Sequence, residues 1–545
     1  LQQREISEVN LRRWLEDWSR LASFVWEAMA IIYIEKTLDT ADGQKEQNFL
    51  DFVNNVRPAA TTADQQLKER LLALDPDGEV IADLAIALRN MKNQADLFRA
   101  ENVPLKTELA KLGSEYDKIN GTMIAMWDGE QKNLSQLSVF LKDKNRSVRE
   151  RAWRLEMGLW QEQRQRLNEL YADMLALRRQ LAENAGLDSF RDYIFREYDR
   201  FAYSAEDCFT FHKAIEEVVV PVAQRIYEKK KRRLGLDSIR PWDVEVDTSD
   251  NPPLHPYEGQ DALIQGSLDI FQEVDAELAH HFATMAEENL LDLETRVGKA
   301  MGGYCSTLPL RQRPFIFMNG VGTHDDVQTM LHEAGHAFHV FETAALPLIW
   351  QISPPMEFAE VASTSMELLA APYLAEESGG FYSPADSARA RIEHLQGILL
   401  FLPYMSVVDA FQHWVYTHPH AAADSGNCDK AWGQLWDQYM PSIDYAELDE
   451  FRVSGWHRKL HIFHIPFYYI EYGMAQVGAL QVWRNALHDQ AAAVAAYRQA
   501  LALGGTRTLP ELFAAAGAEF RFDTAMLAGL ANLIEENIDA LEKRL

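Results

Sequence analysis

Cysteine is scarce in this sequence, and the residues present are far apart. Cys208, Cys305 and Cys428 are the three cysteines among 545 residues. An odd number of cysteines without Cys-x-x-Cys spacing excludes a disulfide framework and indicates a reducing compartment. The first eighteen residues carry charges throughout and lack the apolar segment of a secretory signal. We therefore predict a cytoplasmic protein.

The sequence also has fewer positive than negative charges, and its apolar runs are short. The 53 lysines and arginines are outnumbered by 82 aspartates and glutamates, which gives a formal net charge of −29. Nucleic acids and anionic membranes bind cationic surfaces, so neither is a predicted partner. The longest apolar run, residues 397–408, contains Pro403 and is too short to cross a bilayer. The sequence makes no prediction about the oligomeric state.

Amphipathic helical patterns fill most of the chain. Apolar residues recur every three or four positions over residues 5–36 and again over residues 147–185. The 47% of hydrophobic residues is enough for a large core. We predict a mainly α fold with two domains. The first covers residues 1–190 and includes a short hairpin that begins near residues 122–127, and the second covers residues 191–545.

The segment HEAGH places two histidines one helical turn apart. His332 and His336 share a helix face, so both imidazoles can point to one zinc ion. Thr323 and Asp326 have capping-box spacing, which predicts that a helix begins just before this segment. Glu333 can take a proton from a water molecule at the metal, and this HExxH arrangement is typical of metallopeptidases. The alternative is a surface helix whose two histidines face solvent.

A catalytic zinc ion needs a third protein ligand and an open position for water. The longer motif HExxHxxGxxH would supply a third histidine, but His339 and Glu342 occupy the positions of its glycine and last histidine. A second helical run offers Glu360 as the best third ligand. Glu357, one turn earlier on the same run, is the alternative ligand.

Two other residues near this motif have two interpretations each. Glu367 either orients a metal-bound imidazole through a hydrogen bond or is a solvated acid on an amphipathic helix. His339 either supports the site in the same way or belongs to the core. Residues 314–320 predict a β-strand just before the first helix, with an edge that would hold an extended peptide by main-chain hydrogen bonds.

A third segment, residues 457–472, contains three histidines and three tyrosines. Peptide hydrolysis builds negative charge on the carbonyl oxygen under attack, and hydroxyl or imidazole donors stabilise that charge. We interpret His461, Tyr468 and Tyr472 as residues that bind the substrate or this oxyanion. The alternative is that these aromatic side chains belong to the core.

Four segments follow one another in an order and spacing that are specific when taken together: DLETRVGKAMGGYC, HEAGHAFH, EFAEVAST and HIFHIPFYYIEYG. They resemble the motifs of the oligoendopeptidase F branch of the thimet oligopeptidase-like zinc metallopeptidases, which are gluzincins. The resemblance covers about residues 115–545. It implies a zincin-type core with a small β-sheet, inside a large helical shell that encloses a deep substrate channel. Such a channel admits oligopeptides and excludes folded proteins.

The resemblance also assigns roles to individual residues. It implies one zinc ion per chain, held by His332, His336 and Glu360, with Glu333 as the general base. The domain over residues 191–545 is then the catalytic metallopeptidase domain.

The same resemblance extends to the third segment. By position, His461 and Tyr472 match the histidine and tyrosine that contact the tetrahedral intermediate. Tyr468 is a nearby second tyrosine.

Three functions are compatible with these motifs. The one we favour is a zinc-dependent endopeptidase that hydrolyses internal bonds of short oligopeptides. A zinc carboxypeptidase or dipeptidyl carboxypeptidase uses the same chemistry but needs a cation that binds the C-terminus of the substrate, and no single Arg or Lys stands out in the sequence. A non-catalytic peptide-binding protein or zinc-dependent scaffold needs no general base, so Glu333 argues against it.

Overall fold

The structure is a computed structural model that describes residues 1–7, 9–74, 81, 84–249 and 251–545. Helices make up most of the described chain, and two small β-sheets accompany them. The mainly α fold class expected from the sequence is confirmed.

The first part of the chain is a series of helices followed by a hairpin. The helices are α1 (Leu11–Leu38), α2 (Gly43–Asp51), α3 (Arg57–Leu74), α4 (Ala85–Leu97) and α5 (Asn102–Gly121). Strands β1 (Ile124–Trp127) and β2 (Glu130–Asn133) pair antiparallel. Asp128 and Gly129 connect them with φ values of 50° and 92°, as a two-residue hairpin turn requires. The predicted hairpin is confirmed.

A second series of helices leads to a three-stranded sheet. These helices are α6 (Leu134–Ser138), α7 (Arg146–Asn184), α8 (Phe190–Glu197), α9 (Ala205–Ala214), α10 (Val220–Leu234), α11 (Gly259–Val274) and α12 (Ala276–Glu287). The strands are β3 (Leu291–Glu294), β4 (Tyr304–Leu308) and β5 (Arg313–Gly320), in the order β3-β5-β4.

The position of β5 in this sheet corrects one prediction. The strand itself was expected at residues 314–320, and it is present. Strand β3 pairs with it in parallel on one side, and β4 pairs with it antiparallel on the other. Both edges of β5 are therefore used, and the prediction that its edge holds an extended peptide is wrong. Strand β4 lines the large cavity at the centre of the protein. Among the described residues, the outer edge of β4 has no strand partner.

Helices form the rest of the chain. They are α13 (His324–Glu342), α14 (Ile349–Ile352), α15 (Met356–Ala370), α16 (Pro384–Thr417), α17 (Pro419–Ala422), α18 (Ser425–Tyr439), α19 (Asp449–Val453), α20 (Leu460–His464), α21 (Tyr469–Ala486), α22 (Gln490–Ala502), α23 (Leu509–Ala515) and α24 (Thr524–Glu542). Helix α13 begins where the capping-box spacing predicted. The carboxylate of Asp326 accepts hydrogen bonds from the backbone N–H groups of Thr323 at 2.7 Å and Val321 at 2.9 Å.

One hydrophobic core includes residues from both sides of position 190. Tyr171 of α7, for example, contacts the rings of Trp456 and Phe463 with centroid distances of 5.0 and 5.2 Å. A smaller core packs Trp14 and Trp18 of α1 against Leu348. The boundary near residue 190 stays a prediction, and the two segments that it separates are packed together.

Helix α16 extends well beyond the apolar run at residues 397–408. It spans 34 residues, because Pro403 lies inside the helix without ending it. Among the described helices, it is long and apolar enough to cross a membrane by length and composition. However, 61% of its most apolar window is buried inside the protein. This degree of burial is what a core helix shows.

Gly335 allows α13 and α15 to approach closely. A Cβ atom at this position would lie 2.5 Å from Cα of Ser363 and 2.8 Å from the carbonyl oxygen of Ala362. Both are backbone atoms of α15, which cannot move without shifting the helix. The interface between the two helices therefore requires glycine here.

We expect Gly335→Ala to lower the free energy of unfolding by about 1–3 kcal/mol, the usual effect of inserting a methyl group into a packed interface. Gly158→Ala in α7 is the control. A Cβ atom there meets nothing within 4 Å, and alanine is favoured over glycine inside a helix by about 0.5–1 kcal/mol. Thermal unfolding followed by circular dichroism compares the two variants. A Gly335→Ala midpoint at or above the wild-type value would contradict the packing argument.

Candidate metal centre

Helices α13 and α15 bring two histidines and one glutamate to a single point. His332 and His336 lie one turn apart on α13, and Glu360 reaches them from α15. Nε2 of His332 is 3.3 Å from one carboxylate oxygen of Glu360, and Nε2 of His336 is 3.8 Å from the other. One donor atom from each of the three residues lies within 4.8 Å of the other two.

These distances fit a small cation between the three side chains. Nitrogen and oxygen ligands lie about 2.0–2.2 Å from zinc, which places neighbouring ligand atoms of a tetrahedral site about 3.3–3.6 Å apart. Burial raises the pKa of Glu360, but the adjacent His336 and His332 lower it to about 2. Burial lowers the pKa of His336 to about 4. An ionised carboxylate and a neutral imidazole are the protonation states that bind a metal.

Glu357, the alternative third ligand, has other partners. It accepts a hydrogen bond from the hydroxyl of Tyr203 at 2.7 Å and lies 3.6 Å from Nε of Arg200. It is not one of the three residues with clustered donor atoms. Of the two candidates, the structure therefore brings Glu360 to the histidines.

Glu367 connects the centre to a histidine that the sequence analysis missed. Nδ1 of His332 lies 2.7 Å from one carboxylate oxygen of Glu367, and Nε2 of His394 lies 2.8 Å from the other. Burial lowers the pKa of His332, but hydrogen bonds to Glu360 and Glu367 raise it overall, so a metal ion bound at Nε2 would take the place of the proton shared with Glu360 while Nδ1 donates to Glu367. Glu367 is only 9% exposed, so the interpretation as a solvated acid is wrong. His394 lies on α16, where no spacing pattern pointed to it.

Glu333 is buried beside the three donor residues, with one oxygen unpaired. Its side chain lines the central cavity, and among the described residues its Oε2 atom has no hydrogen-bond partner. Burial raises the pKa of Glu333 to about 7. Because the side chain of Glu333 contributes to the cavity wall, a carboxyl group with this pKa can exchange a proton with a molecule bound there.

His461, Tyr468 and Tyr472 lie together next to the centre. Nε2 of His461 is 3.1 Å from the hydroxyl of Tyr472, and the hydroxyl of Tyr468 donates a hydrogen bond to Glu360 at 2.5 Å. All three side chains are partly exposed and line the central cavity. Their neighbour Tyr469 is buried, so a core position describes Tyr469 and not these three side chains.

A tight turn orients Tyr468. Phe467 has φ of 64°, a conformation that bulky residues rarely adopt. Its N–H donates to the side chain of Gln412 at 2.7 Å, and its carbonyl oxygen accepts from Arg200 at 2.5 Å. These two buried hydrogen bonds hold the turn between α20 and α21 in place.

His339 does not join the donor group. Its ring packs against Phe358 with a centroid distance of 6.0 Å, and burial lowers its pKa to about 3. The side chain is therefore a neutral, buried histidine one turn beyond His336. Of the two interpretations of His339, the core position agrees with this environment.

The cavity in front of the centre has a volume of about 1120 Å³. Its wall includes residues of α1, α5 and β4 as well as α13, α15, α20 and α21. Segments on both sides of residue 190 thus enclose it. The volume exceeds the roughly 300–1,000 Å³ of a typical small-ligand pocket, so it has room for a peptide of several residues. Arg458 is the one cationic residue in the described part of the wall.

Comparison with known proteins places the chain among peptidases. The family model described as Peptidase family M3 matches residues 139–532. The oligoendopeptidase F homolog of Lactococcus lactis subsp. lactis (strain IL1403) is 25% identical over 341 residues, which cover 59% of this chain and 52% of that protein. The group B oligopeptidase PepB of Streptococcus agalactiae serotype III is 24% identical over 343 residues, which cover 58% and 53%. The chain spans about half the length of the curated relatives it matches.

Solved structures share the whole architecture. The structure of PZ peptidase A with inhibitor 2 matches with a TM-score of 0.92 and 27% identity, and covers 99% of this chain and 95% of that chain. The oligoendopeptidase-F of Enterococcus faecium shares the fold at 15% identity, with a TM-score of 0.63 over 98% of this chain and 92% of that one. The resemblance found in the four sequence segments is confirmed. Because the matched residues 139–532 make up most of the sequence, the chain belongs to peptidase family M3.

Proposed function

We propose that this protein is a cytoplasmic, zinc-dependent endopeptidase that hydrolyses internal bonds of short oligopeptides. One observation carries the proposal. The donor atoms of His332, His336 and Glu360 converge at the wall of a peptide-sized cavity that the side chain of Glu333 also lines. The names of the relatives, oligoendopeptidase F and oligopeptidase, support the same substrate class.

The proposed mechanism assigns the proton transfers to Glu333. A zinc ion held by His332, His336 and Glu360 supplies a Lewis acid, which makes water more acidic and polarises a carbonyl group. Glu333, whose side chain lines the cavity, takes a proton from the attacking water. It then gives this proton to the leaving amine, so one carboxyl group serves as base and then as acid.

We assign the stabilisation of the oxyanion to the third segment. His461 and Tyr472 contact each other at the cavity wall, and each has a polar hydrogen that can turn to a substrate oxygen. Tyr468 reaches the same space, because its hydroxyl already contacts Glu360. Donors fixed before the reaction stabilise developing charge without reorganisation during the step.

The second candidate function is a carboxypeptidase or dipeptidyl carboxypeptidase, and Arg458 is the observation that favours it. A guanidinium in the cavity wall is the type of group that binds a C-terminal carboxylate. A non-catalytic peptide-binding protein gains nothing from a buried carboxyl beside a metal site. The position of the cut in a peptide separates these functions.

The proposed function predicts internal cleavage that depends on Glu333. A nonapeptide incubated with the zinc-loaded protein and analysed by mass spectrometry should give fragments from internal bonds. Release of only one or two C-terminal residues would replace the endopeptidase by the carboxypeptidase.

We expect Glu333→Gln to lower kcat by about 10²–10⁴-fold, the usual contribution of general acid–base catalysis, and to keep one zinc ion in the α13–α15 centre. Glu288→Gln, at the surface, is the matched control. Near wild-type turnover in Glu333→Gln would refute the base assignment.

Removing the hydroxyl of Tyr472 tests the oxyanion donors. We expect Tyr472→Phe to lower kcat about 10²-fold with little change in KM, because the lost hydrogen bond forms mainly in the transition state. Tyr469→Phe is the matched control, since this buried neighbour's hydroxyl contacts Lys459 at 3.2 Å instead. Steady-state kinetics on one quenched peptide compares the two. Equal losses in both variants would show that packing, and not the Tyr472 hydroxyl, is responsible.

The contact between Glu367 and His332 predicts an effect on metal affinity. We expect Glu367→Gln to weaken zinc binding about 10–100-fold, because the neutral amide orients and polarises the imidazole less well than the carboxylate does. Titration of the zinc-loaded protein with a competing chelator measures this affinity. Unchanged affinity in Glu367→Gln would mean that Glu367 plays no part in holding His332.

A further inference from the structure

A second group of metal-binding residue types lies in the interior, away from the cavity wall. Cys208 and His212 are one turn apart on α9, and Asp409 and His413 are one turn apart on α16. Their relative exposures are 0%, 3%, 0% and 2%, respectively. Cys208, Asp409 and His413 bring their donor atoms together between the two helices, and His212 joins them through its contact with Asp409.

The spacing of these side chains matches that of the candidate metal centre. One donor atom each from Cys208, Asp409 and His413 lies within 4.8 Å of the other two. Nε2 of His212 and Nε2 of His413 are 2.9 and 3.3 Å from the same oxygen of Asp409. Within the described residues, this group and the α13–α15 centre are the two groups of three that meet this criterion.

The polar atoms of the group lack well-formed hydrogen bonds. Among the described residues, Nε2 of His212, both ring nitrogens of His413 and both oxygens of Asp409 have no hydrogen-bond partner of suitable geometry. A buried polar atom without a partner destabilises the folded protein. A cation between the four side chains would satisfy several of these atoms at once.

Charge also favours a cation at this point. Asp409 is a fully buried carboxyl group that contacts two imidazoles, those of His212 and His413. In the described part of the chain its ion-pair contacts are to these two histidines, and none is to a lysine or arginine.

We propose that Cys208, His212, Asp409 and His413 form a second metal site that binds one zinc ion and has a structural role. A thiolate, two imidazoles and a carboxylate are ligands that zinc accepts, and four protein ligands close its tetrahedral shell. A closed shell leaves no position for water, so this site stabilises the packing of α9 on α16 and performs no hydrolysis.

Metal content is the direct test, with the full-length protein loaded with Zn²⁺ and then desalted. We expect two zinc ions per chain in the wild type, one in His413→Gln, one in His336→Gln and fewer than one in the double variant. Inductively coupled plasma mass spectrometry gives the ratio. A wild-type chain that binds a single zinc ion, which His336→Gln removes, would overturn the second site and leave the proposed peptidase centre intact.

Cobalt provides a readout that is specific to the second site. A Co²⁺ ion bound by a thiolate absorbs in the near ultraviolet by sulfur-to-metal charge transfer, and the α13–α15 centre has no sulfur ligand. We expect this band in the Co²⁺-loaded wild type and its loss in Cys208→Ser. Cys428→Ser and Cys305→Ser are the matched controls and should keep the band. Absence of the band in the wild type, or its persistence in Cys208→Ser, would overturn the proposal.

Discussion

The close packing of α13 on α15 is the contact on which the candidate active site depends. Because Gly335 has no side chain, the backbone of Ser363 comes close enough for Glu360, one turn earlier, to face the two histidines. Helix α21 also packs closely on α15, since a Cβ atom on Gly478 would lie 2.9 Å from the side-chain Cγ2 of Val361. Three helices are thus held closer together than larger side chains would allow, and the proposed metal ligands and proposed oxyanion donors share one cavity wall.

Buried charges hold this arrangement in one conformation. Arg200 is fully buried, contacts Glu471 at 2.5 Å and Glu357 at 3.6 Å, and donates to the carbonyl oxygen of Phe467. One guanidinium therefore connects α15, α21 and the turn before Tyr468. Breaking such a buried ion pair leaves an uncompensated charge, which costs about 3–5 kcal/mol. The network fixes the directions of side chains that the hydrophobic core alone would leave less defined.

The parts of the site that the sequence predicts are those with local spacing. The one-turn separation of His332 and His336 and the capping pair before α13 follow from helix geometry, so a linear pattern reveals them. The contact from His394 to Glu367 and the pairing of β5 on both edges depend on tertiary packing, and no local pattern encodes them. The group formed by Cys208, His212, Asp409 and His413 was not predicted for the same reason. Each helix contributes an ordinary i, i+4 pair, and about two hundred residues separate the pairs.

Helix α16 connects the two proposed metal sites. His394, which contacts Glu367, and Asp409 are both on this helix, about 22 Å apart by the rise per residue. Gln412 lies between Asp409 and His413 and accepts the hydrogen bond from the N–H of Phe467 that fixes the turn before Tyr468. A metal ion that holds α9 against α16 would therefore also fix the position of Gln412. Because α16 supports the proposed zinc ligands through His394 and the proposed oxyanion donors through Gln412, a structural ion in its packing would act on both parts of the proposed active site without contacting the substrate.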